Sequence, residues 1–250
     1  MTNNYIAFSL WGDKEIYTAG AIRNAEMAGE IYKDWKVVVY YDHTVPKPVI
    51  LRLNELNVIL KDMTGSGIYG AFWRFTVADL PDSKYNIFRD TDSRLSLREK
   101  LAVDEWMKNG DTLHLMRDHP FHLLIPYGAT SPSILAGMWG IKGGAFEMTK
   151  AIKEFCMNKD DYYGIDQAFL QDVYTKFKNS ITVHDDFFEK KPFPSKRSGD
   201  RFVGERIGEN ELPAGDEWKQ IRIYNKTHYP SVFRRFKSWA LSIFTQPLKK

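Results

Sequence analysis

Apolar positions recur along this chain at two spacings, close to continuous in short runs and every three to four residues in longer ones. Residues 5–10 ("YIAFSL") form a short apolar run that predicts a strand. Over 14–33, Ile16, Ala19, Ile22, Ala25, Met27 and Ile31 follow helical spacing. The run "WKVVVYY" at 35–41 is β-branched and aromatic, which predicts a buried strand. Pro46 and Pro48 open a short helix over 49–56, and a weaker strand follows at 58–60. The spacing then predicts a helix over 69–80, a strand over 85–89, a helix over 97–109 and a strand over 112–116. Such β-α alternation implies an α/β fold with a mostly parallel central sheet and helices on both faces.

Beyond residue 120 the pattern loosens. The stretch "HPFHLLIPYGATSPS" is dense in loop signals. A strand at 134–139, helices at 145–156 and 165–177, and a last strand at 181–184 are expected, followed by a loop over 189–205. Residues 209–216 are polar with Pro213 and Gly215 and read as a linker. The chain therefore divides into a main domain over 1–212 and an appendage over 213–250.

Composition adds three constraints. Hydrophobic residues at 43% and aromatics at 14% suffice for a large core over 250 residues. A single cysteine, Cys156, excludes an internal disulfide and fits a reducing, cytoplasmic compartment. The first residues lack the basic n-region of a signal peptide, and no apolar run approaches the roughly 18 residues of a membrane span.

The net charge of +3 is unevenly placed. Residues 218–250 carry eight Lys and Arg and no acid, which leaves the first 217 residues at about −5. Within 229–248, Val232, Phe233, Phe236, Trp239, Ala240, Ile243 and Phe244 fall on one helical face, with Arg234, Arg235 and Lys237 mainly off it. That profile suits an interfacial helix drawn to anionic lipid, making the protein peripheral at a membrane. Docking of the same helix on the main domain is the alternative. A nucleic-acid role is disfavoured, since the body is acidic and no reader motif is present.

Candidate chemistry concentrates at "KYNIFRDTDSR". Asp90 and Asp92 stand one residue apart at the end of an expected strand, where ligands collect in open α/β sheets. Extended geometry puts both carboxylates on one side and Thr91 on the other. Two adjacent like charges call for a cation, and Mg²⁺ or Mn²⁺ bound by one or two carboxylates and substrate phosphates meets that need. Arg89 and Arg94 are placed to reach phosphate, and Arg74 in "GAFWRF" can act as a phosphate clamp or stack on its aromatic neighbours. Within "RDHPFH", Asp118 and His119 are candidates for sugar contact. At the ends of the first two strands, Ser9, Trp11, Tyr41 and Asp42 are candidates for a nucleotide base, although packing explains Trp11 and Tyr41 nearly as well. The glycines of "AGMWGIKGG" allow close backbone approach or a turn.

Five stretches taken together, "NIFRDTDSRLSLREKLAVDEWMKNG", "LHLMRDHPFH", "ILAGMWGIKGG", "YGIDQAFL" and "VHDDFFEKKPFPSKR", resemble small GT-A-type glycosyltransferases found in large algal viruses and some bacteria. The resemblance spans about 5–205. It implies a Rossmann-like nucleotide-diphospho-sugar transferase fold, a nucleotide-sugar donor with UDP favoured, a glycan or lipid-linked acceptor, and a divalent metal at Asp90 and Asp92. It further implies that Asp166 and Gln167 face the donor sugar, as in the Asp-Gln step of retaining members, and that His184 completes the metal shell, which would favour Mn²⁺. As bare residues, Asp166 also suits a helix cap and His184 a packed side chain. A non-catalytic sugar-binding protein of the same fold is the main rival. A DxD phosphatase fits less well, because its acidic pair follows the first strand.

Overall fold

The computed structural model describes residues 2–123, 134–157 and 159–228. The chain runs β1 (Asn3–Leu10), α1 (Glu15–Ile31), β2 (Trp35–Tyr41), α2 (Lys47–Glu55), β3 (Ile59–Asp62) and a 3₁₀ segment (Gly70–Asp79). It continues through β4 (Ser83–Phe88), α3 (Leu97–Asn109), β5 (Leu113–Arg117), a short 3₁₀ turn (Pro120–Leu123) and β6 (Trp139–Lys142). The last elements are α4 (Met148–Cys156), α5 (Ile165–Phe177), β7 (Ile181–Asp185) and α6 (Trp218–His228).

The seven strands form one sheet in the order β3-β2-β1-β4-β6-β5-β7. All neighbours are parallel except β6, which runs antiparallel to both β4 and β5. Alternation along β1 sends Tyr5 and Ala7 into one core and Ile6 and Phe8 into the other. The 3₁₀ segment, α4 and α5 cover the first face, and α1, α2 and α3 the second. The expected α/β class, with helices on both faces of a mostly parallel sheet, is present.

Three elements depart from expectation for local reasons. Residues 70–79 wind as a 3₁₀ segment that is buried on most sides, with Phe72, Phe75 and Ala78 stacked one turn apart. The strand expected at 134–139 lies at Trp139–Lys142 instead. Gly140, paired with Ile87 in that strand, has no room for a side chain, since a Cβ there would stand 2.7 Å from the Asn86 carbonyl and 3.0 Å from the Trp106 ring. Third, α6 occupies a stretch that carries no clear pattern. It packs through Ile221, which is fully buried, a Tyr224–Phe187 ring contact at 4.6 Å and an Arg222–Asp200 ion pair at 2.8 Å. The expected helix over 229–248 lies outside the described residues. No helix among the described residues is long and apolar enough to cross a membrane.

Two features of this topology place the functional region. From β1 the sheet grows outward through β2 to β3, and the chain then crosses back to lay β4 on the other side of β1. The carboxyl ends of β1 and β4 therefore flank a point where the order reverses, the usual crevice of open α/β sheets. The chain also returns to these ends after β7. Asp118, at the end of β5 and wholly buried, receives Arg98 in two hydrogen bonds at 2.8 and 2.9 Å, Arg197 at 2.5 Å and the Val203 amide at 3.0 Å. This cluster pins the returning segment, so that residues 204–206 reach the strand ends.

Removing Asp118 leaves Arg98 and Arg197 with Asp186 as their shared carboxylate, each at 2.8 Å, and breaking buried ion pairs of this kind costs up to about 3–5 kcal/mol. Asp118→Ala is expected to lower the melting temperature by an amount matching that range, with faster amide exchange over 195–206. Unchanged exchange in that segment would contradict the anchoring role.

Candidate functional site

A cleft of about 680 Å³ opens at the carboxyl ends of β1 and β4. β1 delivers Ser9 and, just beyond its last residue, Trp11; the 3₁₀ segment delivers Arg74, and the turn after β4 delivers Asp90 and Asp92. Gly137, the start of α5 with Asp166 and Gln167, and Arg206 on the returning segment complete the wall.

The acidic pair sits on a β-turn rather than on extended chain. The Ser93 amide donates to the Asp90 carbonyl at 3.2 Å and the Ser93 hydroxyl to the same oxygen at 2.9 Å. Every carbonyl of residues 90–93 is occupied. Thr91 O and Ser93 O accept from Asn24 and from Arg94, and Asp92 O accepts the Ile207 amide at 2.7 Å. The backbone thus holds the turn without help from the carboxylates. Thr91 is buried, as the sequence implied, while both acids face the cleft.

Arg74 is the organising cation. It is 5% exposed, pairs with Asp90 at 2.9 Å and with Asp166 at 3.3 Å, and its amide donates to the Ser9 hydroxyl at 3.0 Å. Among the described residues, no ion pair or hydrogen bond from another residue reaches the Asp92 carboxylate. Burial first, and the Asp90 charge second, push that carboxyl up to about 6, with Arg206 pulling the other way. Burial also raises Asp166, against the lowering effect of Arg74. Gly137 has no room for a side chain, since a Cβ there would overlap the Asp90 carboxylate.

Among the described residues no group of three or more His, Cys, Asp or Glu side chains forms a closed metal cage. Two hard oxygen donors, one of them without an ion-pair partner among the described residues, nevertheless fit the sites that hold Mg²⁺ or Mn²⁺ with substrate oxygens and water. The donor set therefore accommodates the implied ion.

The structure brings together Asp90, Asp92, Arg74, Ser9, Trp11, Asp166 and Gln167. Other candidates lie elsewhere. Arg89 is buried under the sheet, paired with Glu99 at 3.0 Å and donating to the Phe88 and Trp139 carbonyls, so it cannot contact phosphate. Arg94 turns away from the cleft to bind Glu211 at 2.8 Å and Gly208 O at 3.2 Å. Asp118 is consumed by its two arginines. His119 is buried too, with Nε2 at 2.8 Å from Glu217 O and Nδ1 accepting the Phe121 amide. Asp42 closes a turn by accepting from the Thr44 amide at 3.0 Å, and Tyr41 packs in the core beside α2; neither lines the cleft.

His184 is displaced furthest. It lies on β7, three strand spacings or about 14 Å from β4, too far to share an ion with Asp90 and Asp92. It packs on Phe193 and hydrogen-bonds His114 at 2.9 Å, and burial lowers its basicity. It faces a separate groove of about 500 Å³ beside Glu105.

Sequence reasoning missed Arg206, Lys14, Tyr17 and Tyr163, which also line the cleft. Tyr17 carried a readable signal, as a large aromatic on the outward side of α1. Arg206 carried none, because its position depends on the anchored return after β7.

No protein-family model matches the chain, and no curated protein matches its sequence. Several solved structures follow a similar chain course. A 4-diphosphocytidyl-2C-methyl-D-erythritol synthase from Anaerococcus prevotii is 6% identical, with 78% of this chain and 94% of that chain covered and a TM-score of 0.49. A galactosyltransferase, LgtC, in complex with donor and acceptor sugar analogs is 14% identical, with 73% of each chain covered and a TM-score of 0.43. A glycosyltransferase involved in glycosylation of the major capsid of PBCV-1 is 13% identical, with 88% and 98% covered and a TM-score of 0.43. Likenesses this distant carry no argument about the chemistry of this chain.

Asp92 supplies a stability test. An unfolded Asp carboxyl titrates near 3.9, so a folded value of about 6 means that the native state binds the proton more tightly. The group therefore destabilises the protein at neutral pH, and stability is regained as pH falls from about 6 toward 4. Asp92→Asn is expected to stabilise the ligand-free protein by about 1–3 kcal/mol at pH 7.5 and to flatten its pH dependence between 4 and 6. Denaturant unfolding across that range tests this, and a destabilised variant would contradict it.

Proposed function

We propose that the chain is a metal-dependent glycosyltransferase of the GT-A type, moving a sugar from a nucleoside-diphosphate sugar, UDP-sugar favoured, to a glycan or lipid-linked acceptor. The observation that carries this reading is the turn at 90–93. Its carbonyls are all bonded, yet it presents two crowded carboxylates to a cleft that also contains Arg74, Arg206 and aromatic walls.

In this reading Asp90 and Asp92 hold Mn²⁺ or Mg²⁺. The ion's contribution is to neutralise charge developing on the leaving diphosphate. Arg206 and Lys14 add positive charge on the cleft wall for the same anion. Trp11, 43% exposed and edge-on to Trp73 at 5.9 Å, offers a face for the base. Arg74 orients Asp166 toward the cleft by gripping Asp90 and Asp166 at once. Asp166 and Gln167 then face the sugar, and their pairing favours retention. The main rival, a sugar-binding protein without turnover, predicts nucleotide binding and no donor hydrolysis.

Thermal-shift screening with UDP-, GDP- and dTDP-sugars, with and without Mn²⁺, is the direct test. Stabilisation by one nucleotide only when Mn²⁺ is present, lost in Asp90→Asn and Asp92→Asn, is expected, together with slow Mn²⁺-dependent release of free sugar. Metal-independent binding, or none, would reject the transferase.

The basic stretch at 229–248 is proposed to bring this cytoplasmic enzyme to anionic lipid, where lipid-linked acceptors reside. Full-length protein is expected to co-sediment with phosphatidylserine vesicles and a 1–228 truncation to remain in the supernatant. Equal sedimentation of the two would reject the idea.

A further inference from the structure

α1 buries an unexpected face. The bulky residues at helical spacing, Ile16, Ile22, Met27 and Ile31, are only half-buried, whereas Thr18, Gly20, Ala21, Asn24, Ala25 and Ala28 face inward. Small residues let the helix approach closely. At Gly20 the approach is extreme, since a Cβ there would overlap the Thr91 carbonyl oxygen. The inward polar residue is Asn24, 1% exposed.

All the hydrogen bonds formed by the Asn24 amide go to the segment that carries the acidic pair. Its Nδ2 donates to Thr91 O at 3.3 Å and to Ser93 O at 2.8 Å, and its Oδ1 accepts the Leu95 amide at 2.9 Å. One side chain thus fixes three alternate residues, the first of which lies between Asp90 and Asp92. The bonds are buried, where they are least exchanged with water. The Asn24 amide touches neither carboxylate, so it has no part in binding an ion directly.

We infer that Asn24 is a positioning residue for the divalent-cation site, holding the backbone so that both carboxylates stay on one side despite their repulsion. The inference rests on the metal-binding reading of Asp90 and Asp92 and deepens it. Arg94 donates to the same Thr91 and Ser93 carbonyls, at 3.3 and 2.9 Å, so loss of Asn24 loosens the turn rather than releasing it. The tie to α1 and to the Leu95 amide goes, and a divalent ion must restore the alignment of the acids on binding. The ion should then bind more weakly, while a complex saturated with metal should be little changed. Outer residues that orient metal ligands typically affect affinity by roughly 10–100-fold when replaced.

The experiment measures Mn²⁺ affinity by the electron paramagnetic resonance of free Mn²⁺, in the presence of UDP, for full-length wild type, Asn24→Ala, Asn24→Ser and Gly20→Ala. Leu53→Ala, a fully buried change on α2 away from the cleft, serves as a control for general destabilisation. Weakening by roughly 10-fold or more in the Asn24 variants, with UDP affinity at saturating Mn²⁺ within about twofold of wild type, is expected. Gly20→Ala tests the same carbonyl with Asn24 intact, and with a residue that favours helix. It is expected to weaken Mn²⁺ binding too, and it decides the question should neither Asn24 variant fold. Wild-type Mn²⁺ affinity in the folded variants, or equal weakening in Leu53→Ala, would overturn the positioning role while leaving the metal site standing. Failure of wild type to bind Mn²⁺ at all would overturn the metal reading itself.

Discussion

Asp90 and Asp92 repel each other, and the structure holds them side by side nonetheless. Their turn is bonded through its carbonyls to α1, to Arg94 and to the segment after Gly204, so the opposition between the charges cannot relax by moving the chain. Burial first, and the neighbouring Asp90 charge second, raise the Asp92 carboxyl in this arrangement. Only one cation of the protein, Arg74, pairs with either acid among the described residues, and it is shared with Asp166. The result is a local excess of negative charge facing a cleft, which a hard divalent ion is suited to balance.

Much of the remaining fold serves that constraint. The reversal of strand order between β1 and β4 opens the crevice in which the turn sits. Close approach of α1 depends on its glycine and alanine face. On the opposite side, Gly137 lets the backbone lie against the Asp90 carboxylate. The buried cluster of Asp118, Arg98 and Arg197 does its work at a distance, anchoring the return that carries Arg206 into the wall. Its charges look functional in the sequence because ionic clusters that organise a core use the same residue types as ionic clusters that bind substrate.

The parts legible in the sequence are those set by local pattern. Strands such as "WKVVVYY" and helices such as α3 and α5 follow from apolar spacing, and α3 occupies the very bounds that its spacing predicts. The acidic pair was legible because a strand end is a place where function concentrates. What the sequence hid was which charged residues face inward. Arg89 and Arg94 flank the acids in the chain, but one falls beneath the sheet and the other toward Glu211. His184 appeared beside the site only because nothing in the sequence says that β5 and β6 intervene between β4 and β7. Asn24 was invisible for a related reason: its neighbours suggested a different buried face for α1.

Anomalous diffraction from a crystal soaked in Mn²⁺ and UDP addresses the central claim most directly. The account predicts one strong manganese peak within bonding distance of both the Asp90 and Asp92 carboxylates, with diphosphate oxygens completing its coordination. A fully occupied nucleotide with no manganese between those two side chains, or manganese bound only beside His184 and Glu105, would contradict it.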